Sequence, residues 1–149
     1  MKVWYALIAF TAGFVVAQAW KFVAGLFAQR KQKERNSREV IGYLTRSGGM
    51  PSGHAASMTA LSVYLGGYAG FDSAIFMLAV AVWAIVIYDA IHVRYAVGEQ
   101  GKALNQLLKA SGKPEVAIVE GHTVAQVMVG TVMGIIIGVG IFWLAGGKF

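Results

Sequence analysis

Long apolar runs decide most of what this chain can become. From Val3 to Ala28 it reads VWYALIAFTAGFVVAQAWKFVAGLFA, broken only by Gln18 and Lys21. Three more runs follow: AASMTALSVYLGGYAG from Ala55 to Gly70, FDSAIFMLAVAVWAIVIYDAIHV from Phe71 to Val93, and TVAQVMVGTVMGIIIGVGIFWLAG from Thr123 to Gly146. A bilayer crossing takes about 20 apolar residues, and inside lipid a helix satisfies its own backbone groups. The expected fold is therefore all-α, an integral membrane bundle of four transmembrane helices forming one domain over residues 1–149. Only 13% of the residues are charged, against roughly a quarter in soluble domains. The first run is too long for the apolar region of a signal peptide and lacks a small-residue cleavage site, so it is expected to be a retained span.

The polar connections orient the bundle. One runs from Gln29 to Met50 and carries Arg30, Lys31, Lys33, Arg35, Arg38 and Arg46. The other runs from Arg94 to Gly121 and carries Arg94, Lys102, Lys109 and Lys113. Together they hold ten of the thirteen Lys and Arg, while the opposite side shows only Lys2 and Lys148. With four spans both connections share a side. The positive-inside rule puts that side in the cytoplasm and both termini outside, in a plasma (inner) membrane. The net charge of +6 then belongs to loops and anionic headgroups rather than to a nucleic-acid partner. KALNQLLK in the second connection is expected as a short amphipathic interfacial helix. GGYAGFDS reads as a tight turn between spans two and three. Gly130, Gly134 and Gly138 give span four the small-residue spacing that lets membrane helices approach closely. There is no cysteine, so disulfides are excluded.

Ionisable groups at membrane depth are costly and mark function. On the four-span topology Lys21, Ser52, His54, Asp89, Arg94, Glu120 and His122 all fall at the cytoplasmic ends of the spans. Lys21 and Arg94 can neutralise a phosphate, arginine bidentately. GGMPSGH feeds a helix start, where free N–H groups and the helix dipole favour an anion. His122 also begins a helix, where the dipole favours the neutral imidazole that a nucleophile needs. Two histidines can divide phosphoryl transfer, one attacking phosphorus and the other protonating the leaving oxygen. Gln126 lies one turn beyond His122 and can reach it, its amide oxygen accepting the imidazole N–H. Asp89 has two readings, as a carboxylate for the site or as a structural partner of Arg94 or Lys21. His92 is read as a packing residue.

AQAWK, GGMPSGHAA, GFDSAIF, YDAIHVRYAVGEQGKALNQL and EGHTVAQVMVG occur in that order. In these segments the chain resembles the divergent branch of the type 2 phosphatidic acid phosphatase family, related to acid phosphatases and vanadium-dependent haloperoxidases. The resemblance covers nearly the whole chain. It implies that His122 is a nucleophile forming a phosphohistidine and that His54 is the general acid. It also implies that Lys21, Arg94, Ser52 and the Gly53 backbone hold the phosphate. The superfamily's first motif, a lysine followed six residues later by Arg-Pro, is absent. Arg94 and His122 fall on different helices, and Gln126 stands where a carboxylate usually supports the nucleophile. Glu120 or Asp89 would then supply the carboxylate, or the chain would be slow or inactive. Four spans in place of six leave the site less enclosed, which suits a homodimer.

The function expected on these grounds is a membrane lipid phosphatase. It would remove a terminal phosphate from an anionic phospholipid such as phosphatidylglycerophosphate, on the cytoplasmic side and without a cofactor. The alternative is a protein that binds or transports phosphorylated lipid with the same cations and no hydrolysis. A third reading makes Asp89, His54 and His122 a metal site, which their spacing leaves open.

Overall fold

The computed structural model describes residues 3–29, 49–118 and 121–148. The described residues are helical, with no strand among them. Helix α1 is Trp4–Gln29, α2 Gly53–Ala69, α3 Ala74–Tyr88, α4 Arg94–Ala110 and α5 Val124–Leu144. A π-helical turn, Asp89–Val93, joins α3 to α4. Three stretches are long and apolar enough to cross a membrane: Trp4–Gly25, Ala74–Ala110 and Val124–Leu144.

Helix α2 is the axis of the bundle and packs against α1, α3 and α5. At 17 residues it is about 25 Å long, slightly less than the ~30 Å hydrocarbon layer. Its surface is made of small side chains: Ala55, Ala56, Ser57, Thr59, Ala60 and Ser62 are all buried. The neighbouring helices use glycine to come close. A Cβ on Gly13 of α1 would stand 2.7 Å from the Ala56 carbonyl oxygen. On α5 the match repeats every four residues. A Cβ on Gly130, Gly134 or Gly138 would stand 2.5, 2.5 or 2.7 Å from the carbonyl oxygens of Ser52, Ala56 and Ala60. Helices α2 and α5 therefore run parallel and in register, stacked backbone to backbone. Helix α3 runs antiparallel to α2, and its Trp83 Nε1–H donates to Thr59 Oγ1 at 2.8 Å. At the far end of the bundle Ala9, Ala60, Tyr64 and Phe142 form the apolar core.

The turn expected over GGYAGFDS is confined to its second half, residues 70–73, because α2 stays helical through Ala69. Gly70 takes φ +96°, a conformation that glycine adopts without strain. Ser73 then caps α3, its Oγ accepting the Phe76 N–H.

One expectation on the fold needs correction. The third span was to end at Val93 and give way to a polar connection with a short helix. Instead the chain stays helical from Ala74 to Ala110. No glycine or proline interrupts residues 74–97, so the arrival of charge marks a change of environment and not of backbone. The connection 30–48, with its six cations, lies outside the described residues.

Candidate functional site

Four chain segments meet at one end of the bundle. The GMPS loop, residues 49–52, ends in Ser52, which caps α2 by accepting the Ala55 N–H on its Oγ. Ser52 is fully buried, and its own N–H donates to the Gln126 carbonyl at 3.0 Å. The loop is thus hung from the first turn of α5. The cap engages Ala55, which leaves Gly53 and His54 as the orphan donors of the helix start. The atoms nearest to a Cβ on Gly53 would be those of the Phe14 ring and the Gln18 amide oxygen, at 3.4 Å or more.

Lys21 reaches this end from α1 and is 6% exposed. His54 sits at the second position of α2 and is exposed. Desolvation and then the charges of Arg94 and Lys21 lower its pKa, with Asp89 acting the other way. Arg94 follows the π-turn and donates from Nε to Asp89 Oδ2. That pair is half exposed, so solvent screens it.

His122 lies just before α5 and is 4% exposed. Both of its ring nitrogens are without a hydrogen-bond partner among the described residues. Burial holds its pKa down at about 4, and the charges of Lys21, His54 and Arg94 push the same way. The imidazole is therefore neutral at physiological pH. A buried polar group without a partner costs free energy, and such groups in native proteins call for an explanation. A neutral imidazole with unpartnered nitrogens, beside two cations and a helix N-terminus, has the chemistry to attack an electrophilic phosphorus that reaches it.

The structure brings Lys21, Ser52, Gly53, His54, Asp89, Arg94 and His122 to one end of the bundle. It does not bring two expected supports onto the imidazole. Gln126 closes a capping box with Thr123: its Oε1 accepts the Thr123 N–H at 3.0 Å, and Thr123 Oγ1 accepts the Gln126 N–H at 3.4 Å. The amide oxygen expected on His122 is committed to the helix start. The signal for this was in the sequence, because Thr-x-x-Gln ahead of an apolar run is a capping box. Asp89 takes Arg94 as its partner, the structural reading of that carboxylate. Glu120 lies outside the described residues. His92 stacks on the Tyr88 ring with centroids 4.4 Å apart, and both rings are exposed. Among the described residues no three His, Asp or Glu side chains are grouped to hold a metal ion.

Residues that the sequence did not flag position His122. The segment after α4 turns back along that helix. Asn105 clasps it through both ends of its amide, Nδ2–H to the Val116 carbonyl at 2.9 Å and Oδ1 from the Val116 N–H at 2.8 Å. Gly121 lies against the backbone of Arg94 and Tyr95, with no room for a Cβ. The His122 N–H then donates to the Ala90 carbonyl at 3.1 Å.

Comparison with known proteins gives a consistent placement. Residues 3–137 match the model of a family described as the divergent PAP2 family. An uncharacterized membrane protein of Bacillus subtilis (strain 168), YuiD, is 40% identical over 65 residues, 44% of this chain. The match spans about two fifths (41%) of that relative's length. No solved structure matches the chain.

Proposed function

This chain belongs to the divergent PAP2 family, and from that premise we propose that it is a membrane lipid phosphatase. The substrate is an anionic phospholipid with a terminal phosphomonoester, phosphatidylglycerophosphate being one example. The observation that carries this reading is His122: buried, neutral, with both ring nitrogens unpartnered. In a phosphatase it is the attacking group.

The steps follow from the residues. The phosphate enters against Lys21 and the Nη groups of Arg94, with the Gly53 and His54 N–H groups at the start of α2. These donors hold the non-bridging oxygens and offset the charge that develops on them. An open His122 nitrogen attacks phosphorus, forming the P–N bond as the P–O bond to the lipid breaks. His54 has its pKa lowered by burial and the two cations, so it holds a proton when the negative charge of the bound phosphate offsets them, and it donates that proton to the departing alkoxide. Water, deprotonated by the now neutral His54, then cleaves the phosphohistidine and releases inorganic phosphate. Four crossings with alternating direction would place this end at the headgroup level of the cytoplasmic leaflet. The ten-to-two distribution of cations supports that orientation.

Purified protein in detergent is expected to release inorganic phosphate from at least one member of a panel of lipid phosphomonoesters. Acid-labile phosphate should be trapped on the chain when the reaction is quenched early. Phosphorylated lipid bound without turnover would replace this reading with a binding or transport role. For the orientation, cysteines introduced at Arg35 and Lys109 should react with an impermeant reagent only after the cell is opened. Labelling on intact cells would reverse it.

A further inference from the structure

We propose that the π-turn Asp89–Val93 is a positioning device for His122, releasing one backbone carbonyl that fixes the nucleophile in place. The inference rests on the catalytic reading of His122 given above, but it concerns residues that reading does not use.

In an α-helix the Ala90 carbonyl would accept the N–H of Arg94, four residues on. Here the turn is wider by one residue, and the Arg94 N–H goes to the Asp89 carbonyl instead. The carbonyl of Ala90 is freed from that bond, and the His122 N–H donates to it at 3.1 Å. Wide turns of this kind are rare inside helices and recur at functional sites. Ala90 itself is 3% exposed and packs with Ala55 of α2 and Val127 of α5, so the accepting carbonyl belongs to a rigid part of the bundle.

The rest of the returning segment acts in the same direction. His122 precedes its helix, and a residue there would ordinarily share the mobility of a loop. Asn105 removes that freedom at Val116 with two hydrogen bonds. Ile118 meets Gly101, where a Cβ would come to 3.3 Å. Gly121 lies on the Arg94–Tyr95 backbone so closely that any side chain would lift it off. Val116, Ile118, Gly121 and His122 are thus each fastened to the long α3–α4 helix. This helix also carries Arg94, so nucleophile and phosphate ligand are referred to one rigid element. A reacting pair must be held to well within an ångström, and misplacement by about 1 Å can cost about 100-fold in rate.

Deleting His92 tests the idea directly, since its exposed ring contributes no hydrogen bond to the site. One residue fewer restores the α-helical register: the Arg94 N–H stays on Asp89, and the Tyr95 N–H falls on the Ala90 carbonyl. The His122 N–H then loses its acceptor, while α4 keeps its facing. The expected result, on the panel lipid that wild type cleaves fastest, is a fall in kcat of about 100-fold. KM should stay within about three-fold, as for a loss felt in the transition state. Backbone hydrogen exchange at His122 should accelerate in parallel. Asn105→Ala, far from the chemistry, gives a second variant should the deletion fail to fold. It should lower kcat by about 10-fold with the same pattern. Wild-type kcat in the folded variants would overturn the proposal, whether or not exchange at His122 changes. If wild type releases no phosphate from any lipid, the phosphatase reading falls. Exchange then decides the anchor alone: faster exchange in the deletion chain supports it, unchanged exchange overturns it.

Discussion

Replacing His122 with alanine should lower the rate of phosphate release by about 10³-fold or more, the scale seen when a nucleophile is removed. Binding of the lipid phosphate should stay within a few-fold, because the ligands are Lys21, Arg94 and the start of α2. No acid-labile phosphate should form on the variant. The free enzyme gives a second readout through pH. Burial holds His122 at about 4, against a usual histidine value near 6.5. An acid limb of kcat/KM that comes from His122 should therefore lie near pH 4. Any limb nearer 6.5 belongs to another group. Stability follows the same sign. Between pH 6.5 and about 4 the unfolded chain binds a proton that folded His122 does not. Stability present above pH 6.5 is thus lost as pH falls through that window. Full activity in His122→Ala would remove the nucleophile from the mechanism. Loss of lipid binding in the same variant would make His122 a ligand.

The second large effect is on the bundle itself. Gly134→Ala should lower the stability of the detergent-solubilised protein by about 2 kcal/mol, as for an overpacked interface. The new methyl would stand 2.5 Å from the Ala56 carbonyl oxygen and 2.6 Å from the Thr59 Cβ. Neither can swing aside, so α5 must move off α2, carrying with it the Gln126 carbonyl that holds Ser52. Gly140→Ala is the control on the same helix. Nothing stands within 4 Å of its Cβ position, so helix propensity alone acts, and stability should rise by up to about 1 kcal/mol. Thermal unfolding of the two variants should move in opposite directions. A shift of equal sign in both would show that α2 and α5 are not in backbone contact.

The helices themselves were legible in the residues. The span read as Val3 to Ala28 is helix Trp4–Gln29, and that read as Thr123 to Gly146 contains Val124–Leu144. An apolar run of that length has no alternative in lipid, so composition and length suffice. Helix α2 was harder. Its 17 residues are short and rich in small side chains, which fits an axis surrounded by other helices better than a surface facing lipid. The small-residue spacing of Gly130, Gly134 and Gly138 predicted close packing, and the partner turned out to be α2, in parallel register.

The candidate site was legible as a set and not as a mechanism. Helices that alternate in direction send Lys21, His54, Arg94 and His122 to one end, and in the structure they lie at that end. Which groups support the imidazole could not be read the same way. Gln126 stands four residues after His122, which invites a helical pair, but His122 lies outside α5 and Gln126 serves the cap of that helix. For Asp89 the residues left two readings open, a carboxylate for the site or a partner of Arg94 or Lys21. The π-turn makes Asp89 and Arg94 partners.

What the sequence determined by itself is whatever depends on the solvent: apolar length forces helices, and turn residues separate them. What only the tertiary structure decided depends on where backbone groups find partners. The carbonyl freed at Ala90, the clasp of Asn105 on Val116 and the contact of Gly121 with Arg94 and Tyr95 involve main-chain atoms that every residue carries. No side chain announces them. A one-residue widening of a helix changes which carbonyl is free without changing the hydrophobic pattern, and the position of His122 follows from that change.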